Sequence, residues 1–86
     1  MEIIEIARSY IKISVEGRTA KIEGEGFSRE FSKVAPDYVD FIVYPNSLTH
    51  WSKPWEGESM PSELRDKIID FIKEDFSRRG QLLAVE

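Results

Sequence analysis

Apolar and polar residues alternate in two runs near the start of the chain. Every second residue is apolar over residues 11–15 and again over 20–22, and the positions between them are polar or charged. A period of two is typical of strands that bury one face. Glu16–Gly17 separates the runs, and glycine takes the positive φ of a tight turn without steric cost. The pattern predicts a β-hairpin, with Ile4 and Ile6 either extending its first strand or forming a short strand of their own.

The next part of the chain predicts further strands with interruptions. Glu23–Gly26 indicates a break or a bulge because of its two glycines, and Phe27–Phe31 is a candidate short strand that continues the meander. The proline in Lys33–Asp37 indicates a loop. Tyr38–Tyr44 has apolar residues on both faces, which is typical of an interior strand, and Pro45–Ser47 ends it.

The second half of the chain contains one strongly amphipathic segment. Its apolar residues lie within roughly 160° of a helical wheel, and charged residues occupy much of the remainder. Pro61 suits a first helical turn, Ser59 or Met60 would lie near the N-cap, and Gly80 suits the position after the last turn. A helix is therefore predicted over about 61–79. Its apolar face would consist of Leu64, Ile68, Ile69, Phe71, Ile72 and Phe76.

These elements predict an α+β fold, in which an antiparallel meander of four to five strands packs against one C-terminal amphipathic helix. The 86 residues suffice for one hydrophobic core, so we expect a single domain over 1–86. The strands would lie within about 3–48, a connector with tryptophan and proline at 49–60, the helix at about 61–79 and a short tail at 80–86.

Composition and charge exclude several classes of protein. The chain has no cysteine, so it has neither disulfides nor a thiolate nucleophile. Its longest apolar runs, such as Phe41–Tyr44, are far shorter than the roughly 20 residues that span a bilayer. Its acidic start lacks the basic flank of a signal peptide. We expect a cytoplasmic protein without a membrane partner. The net charge of −4, with interspersed signs, disfavours nucleic acid as a partner.

Residues suited to catalysis or metal binding are few. His50 is the only histidine, and a serine nucleophile would need it as its base. One histidine without cysteine leaves only carboxylates as further metal ligands, and acidic pairs such as Glu56 and Glu58 lack the spacing of a calcium loop. The sequence therefore predicts no catalytic residue, no metal and no cofactor, and it predicts that His50 is a surface or interface residue.

The connector at 49–60 contains two tryptophans and has little regular periodicity. Trp51 is predicted to close one end of the core. Trp55 is followed by Glu56 and Glu58, and it either packs over a strand or forms an exposed anchor. Protein-binding hot spots combine aromatic residues with a polar rim.

The order of these features resembles the immunity protein 74 family of bacterial polymorphic-toxin systems. The matching parts are the strand Tyr10–Arg18, the stretch Ile22–Glu25, a following apolar strand, the Trp51–Pro54 spacing and the helical Ile68–Ile72. The resemblance covers roughly residues 10–80. The tryptophan after Pro54 departs from the family pattern.

The resemblance implies a small cytosolic antidote that binds a cognate toxin and blocks it, without catalytic residues of its own. Many toxins act on nucleic acids through basic clefts, and an acidic protein can meet such a cleft by charge complementarity. We therefore predict a contact surface with Trp55 as its apolar anchor. Its other members would be Asp37, Asp40, Glu56, Glu58 and His50.

Two other functions are compatible with the sequence. A small enzyme or ligand-binding domain would show a concave site with converging polar groups near His50 and the tryptophans. A self-associating structural or regulatory domain, such as a homodimer, would bury a sheet face or an edge strand in a symmetric contact.

Overall fold

The computed structural model describes residues 1–27 and 39–86. In these residues five strands and one α-helix follow one another, with a short 3₁₀ helix at Pro45–Ser47. The elements are β1 (Glu2–Ile6), β2 (Tyr10–Val15), β3 (Arg18–Gly26), β4 (Phe41–Val43), α1 (Ser62–Arg78) and β5 (Leu83–Val85). Two predictions concern residues outside these ranges, wholly or in part: the candidate strand Phe27–Phe31 and the loop Lys33–Asp37. The predicted contact residue Asp37 also lies outside them.

The predicted α+β class is confirmed, with one difference in the sheet. The five strands lie in the order β1-β2-β3-β4-β5, and β1 to β4 are antiparallel neighbours. β5, expected to be a tail, pairs with β4 in parallel and places Leu83 opposite Phe41. Parallel pairing requires a long crossover connection, which here includes α1. The sheet is therefore mixed, although most of its pairings are antiparallel.

The predicted hairpin of β2 and β3 is confirmed. Ile13 lies opposite Ala20, and the turn residues Glu16 and Gly17 have φ values of 50° and 85°. Two successive positive φ values are typical of the turn that matches the twist of a two-residue hairpin. β1 is a separate strand and not an extension of β2, which confirms one of the two alternatives given for Ile4 and Ile6. Its register against β2 shifts at Ile4.

The helix α1 begins one residue later and ends one residue earlier than predicted. Pro61 is its N-cap and has no capping side chain, and Met60 directly precedes it, near the N-cap as predicted. At the C-terminus Gly80 has a φ of 71°, its N–H donates to the Ser77 carbonyl, and Gln81 donates to the Phe76 carbonyl. This pair of hydrogen bonds is a Schellman motif, as expected from Gly80.

The core lies between α1, one face of the sheet and the connector. On α1 the buried residues are Ile68, Ile69, Ile72 and Phe76. The rings of Phe76 and Phe41 meet edge to face with centroids 6.1 Å apart. The remaining core residues are Ile11, Ile13, Ala20, Ile22, Val43, Leu48, Trp51 and Met60.

Gly24 and Gly26 allow β3 to approach β4 and the Phe41 ring. A Cβ at Gly24 would overlap the Ile42 carbonyl oxygen and the ring of Phe41, and at Gly26 it would lie 3.2 Å from the same ring. The two glycines thus provide room for a buried aromatic side chain. β3 continues through Gly26, so the chain does not break at 23–26, which was one of the two predicted alternatives.

The opposite face of the sheet, here called the open face, is not covered by any element of the described ranges. It carries the residues that alternate with the core positions, among them Tyr10, Lys21, Glu23, Ile42 and Tyr44. In the described part of the chain, no helix is long and apolar enough to cross a membrane.

Candidate functional site

The connector, residues 49–60, is a loop closed at its base and attached to β3. His50 and Ser59 form an antiparallel bridge, and the N–H of Met60 donates to the Thr49 carbonyl at 2.8 Å. The N–H of Ser52 donates to the carbonyl of Thr19 in β3, also at 2.8 Å. These bonds fix the connector against the turn end of the β2–β3 hairpin.

Two successive turns form the outer part of the connector. Trp55 donates its N–H to the Ser52 carbonyl, and Glu58 donates its N–H to the Trp55 carbonyl. The Lys53–Pro54 peptide within the first turn is cis. These turns place exposed residues on both sides of the second tryptophan.

The two tryptophans have different environments. Trp51 is 7% exposed and belongs to the core, which confirms its prediction, and the guanidinium of Arg18 lies 5.8 Å from its ring centroid. Trp55 is half-buried and packs against the core. It was predicted either to pack over a strand or to form an exposed anchor, and it does part of each: one part of the side chain stabilises the loop and another part is accessible.

The two connector glutamates also differ. Glu58 forms an ion pair with Arg18, whereas the carboxylate of Glu56 is exposed and has no ion pair or hydrogen bond to a described residue. Exposed ion pairs contribute at most about 1 kcal/mol. Arg18 was not selected from the sequence, because its partners lie more than thirty positions away and no local pattern links them.

His50 is exposed at the base of the loop. Its Nδ1 lies 3.0 Å from the Thr49 hydroxyl oxygen. Within residues 1–27 and 39–86, no group of three or more His, Cys, Asp or Glu side chains could hold a metal ion.

Asp40 lies at the other end of the sheet. One of its carboxylate oxygens accepts a 2.7 Å hydrogen bond from the Leu82 N–H, while its own N–H donates to the Leu82 carbonyl. It borders an open depression of about 630 Å³ that Arg8 and Arg79 also line. In β3, Thr19 lies beside the connector and Gly26 lies beside Asp40. At about 3.3 Å per residue, these seven steps separate Asp40 from the connector by roughly 23 Å.

The structure therefore brings His50, Trp55, Glu56 and Glu58 together in one loop and places Asp40 elsewhere. In comparison with known proteins, the family model described as Immunity protein 74 matches residues 3–86, essentially the whole chain. No curated protein and no solved structure matches it. The chain belongs to the Immunity protein 74 family.

Proposed function

We propose that this chain is a cytoplasmic, non-catalytic antidote that binds a cognate toxin protein and neutralises it by occupying a surface that the toxin needs. The match to an immunity protein family over residues 3–86 is the observation that carries this proposal. The net charge of −4 supports a partner with a basic surface, because complementary charge increases the association rate and the selectivity of binding.

The connector is the proposed contact for the toxin. Its base is closed and it is hydrogen-bonded to β3, so little conformational entropy would be lost when it is held by a partner. Trp55 supplies a partly exposed aromatic surface, and Glu56 supplies a carboxylate without a partner in the described residues. Glu58, held by Arg18, and His50 would lie at the rim.

Asp40, which the sequence predicted as a contact residue, would form a separate contact. Asp40 is too far from Trp55 to share one small hot spot with it, and one of its oxygens is already used by Leu82. A toxin that covers a standard interface of about 800 Å² per partner could reach Asp40 only at the edge of that interface.

The proposal is tested by affinity measurements with a toxin domain, to be sought among the products of the neighbouring genes. Trp55→Ala should raise the Kd about 30-fold, because loss of a hot spot costs 2 kcal/mol or more and each 1.4 kcal/mol is a factor of ten. Glu56→Gln should raise it several-fold. Glu63→Gln, which removes an exposed carboxylate from the first turn of α1, is the matched control and should leave the Kd within about twofold.

The possible results distinguish an error in the proposed function from an error in the proposed contact surface. If the unmodified chain forms no complex with the toxin domain, the proposed function is wrong. If the complex forms and both connector variants dissociate at the original rate, the toxin binds elsewhere on the chain.

A further inference from the structure

The negative charge of the chain is concentrated on the open face. α1 and its C-cap Arg79 are electrically balanced, with five carboxylates and five basic side chains. Among the described residues, the open face has five glutamates and only two lysines, so it accounts for three of the four net negative charges. The glutamates are Glu2, Glu5, Glu23, Glu25 and Glu86, and the lysines are Lys12 and Lys21.

Two tyrosines lie on either side of one of these glutamates. Tyr10 is directly opposite Glu23 in the β2–β3 register, and the N–H of Tyr44 donates to the Glu23 carbonyl at 2.9 Å. The three residues thus form one row across the sheet. With Lys21 they line a depression of about 280 Å³.

The carboxylate of Glu23 has no ion pair or hydrogen bond to a described residue. Both tyrosines, by contrast, have carboxylates near their hydroxyls. The Tyr10 hydroxyl donates to Glu5 at 2.9 Å. The pKa of Tyr44 is raised, first by burial and then by the neighbouring carboxylate of Glu25. The carboxylate of Glu23 is thus available to a ligand between two aromatic rings.

One ring of the depression already accepts a cation. The Lys21 ammonium lies 4.8 Å from the centroid of the Tyr10 ring, inside the roughly 6 Å range of a cation–π interaction. In the described residues the Tyr44 ring has no such cation. Among the residues that the structure describes, the site therefore combines an aromatic face without a cation and a carboxylate without an ion pair or hydrogen bond.

We propose that the depression of Tyr10, Glu23 and Tyr44 binds an arginine side chain of a protein partner. The guanidinium would stack on Tyr44 and pair with the Glu23 carboxylate. Arginine fits better than lysine because its planar, weakly hydrated head group stacks on aromatic rings and forms bidentate pairs with carboxylates. At about 280 Å³ the depression is just below the ~300–1,000 Å³ of small-molecule pockets, which suits a single side chain.

This inference rests on the proposed function, because it takes the protein partner to be the toxin. It adds that the toxin contacts the depression through a surface arginine. Its first test needs no toxin. Titration of the ¹⁵N-labelled chain with N-acetylarginine amide at low ionic strength should shift the amide signals of Tyr10, Glu23 and Tyr44 and saturate at millimolar concentration. The uncharged isostere N-acetylcitrulline amide should leave them unchanged.

Variants localise the effect. Glu23→Gln should raise the Kd for N-acetylarginine amide at least fivefold, and Lys21→Gln should lower it about threefold because a competing cation is removed. Asp70→Asn removes an exposed carboxylate from α1 and should change the Kd by less than 1.5-fold. Shifts spread evenly over α1, or equal Kd values for Glu23→Gln and the unmodified chain, would overturn the proposal.

The toxin domain provides the second test. Glu23→Gln should weaken its binding at least fivefold while Asp70→Asn does not, and equal affinities would show that the depression is not part of the toxin interface. A toxin domain that does not bind the unmodified chain contradicts the proposed function, whereas the peptide-amide titration still decides whether the depression binds arginine.

Discussion

Gly24→Ala is the substitution that tests the described packing of β3 against β4 most sharply. The new Cβ would overlap the carbonyl oxygen of Ile42 and the Phe41 ring, and it would lie 3.1 Å from the Val43 Cα. Phe41 is only 2% exposed, so neither its ring nor the backbone can move aside at low cost. Overpacking of a core typically costs about 1–3 kcal/mol, and we expect the upper end of that range because backbone atoms are involved.

The assay is urea and thermal denaturation followed by circular dichroism. For a domain of this size, about 3 kcal/mol corresponds to a decrease in Tm of roughly 12–24 °C, at 4–8 °C per kcal/mol. Gly57→Ala is the matched control: nothing lies within 4 Å of its Cβ position, so its free energy of unfolding should change by less than about 0.5 kcal/mol. If Gly24→Ala is as stable as the control, the close approach of β3 and β4 is wrong.

Three further predictions concern single interactions. Ile72→Ala truncates a fully buried residue of α1 and should lower the free energy of unfolding in urea by about 2–5 kcal/mol; a loss below 1 kcal/mol would contradict packing of α1 on the sheet. Glu58→Gln removes an ion pair whose side chains are 42% and 51% exposed, so it should cost less than about 1 kcal/mol, and a double-mutant cycle with Arg18→Gln checks this value. Glu5→Ala removes the hydrogen bond that raises the pKa of Tyr10 above 10.0, so the ultraviolet phenolate titration should move to lower pH, whereas Glu2→Ala should leave it unchanged.

The raised pKa of Tyr10 also fixes the sign of a pH effect on stability. The hydrogen bond to Glu5 is the main cause, and it favours the neutral phenol in the folded chain. The corresponding stabilisation is therefore fully present below pH 10, and it is lost as the pH rises through the higher pKa of the folded state. Equal losses of stability above pH 10 in Glu5→Ala and in the unmodified chain would contradict this assignment.

The elements that the sequence predicts well are those with local signals. The helical period over 64–76 depends only on neighbouring turns, and the β2–β3 hairpin depends on alternation and a glycine turn. β5 has no such signal, because three apolar residues acquire a strand conformation only when the α1 crossover places them beside β4. Their pairing is a property of the tertiary structure.

In the candidate sites, too, features with local sequence signals could be predicted and features that depend on the tertiary structure could not. The burial of Trp51 could be predicted because a small domain needs the large area that an aromatic side chain buries in its core. The pairing of Arg18 with Glu58 and the separation of Asp40 from the connector depend on the path of the chain over forty residues. The position of Tyr10 opposite Glu23 follows from the two-residue turn that sets the β2–β3 register. The position of Tyr44 beside Glu23 depends on the pairing of β3 with β4, two strands that are far apart in the sequence.

The proposed neutralisation of a toxin by binding can be tested with a stoichiometric titration. The activity of a fixed amount of the toxin domain, well above the Kd, is measured while the chain is added. A binding antidote predicts a linear fall in activity that ends at one molecule of chain per molecule of toxin. Complete inactivation by a small fraction of that amount, or full activity at a large excess of chain, would contradict the account.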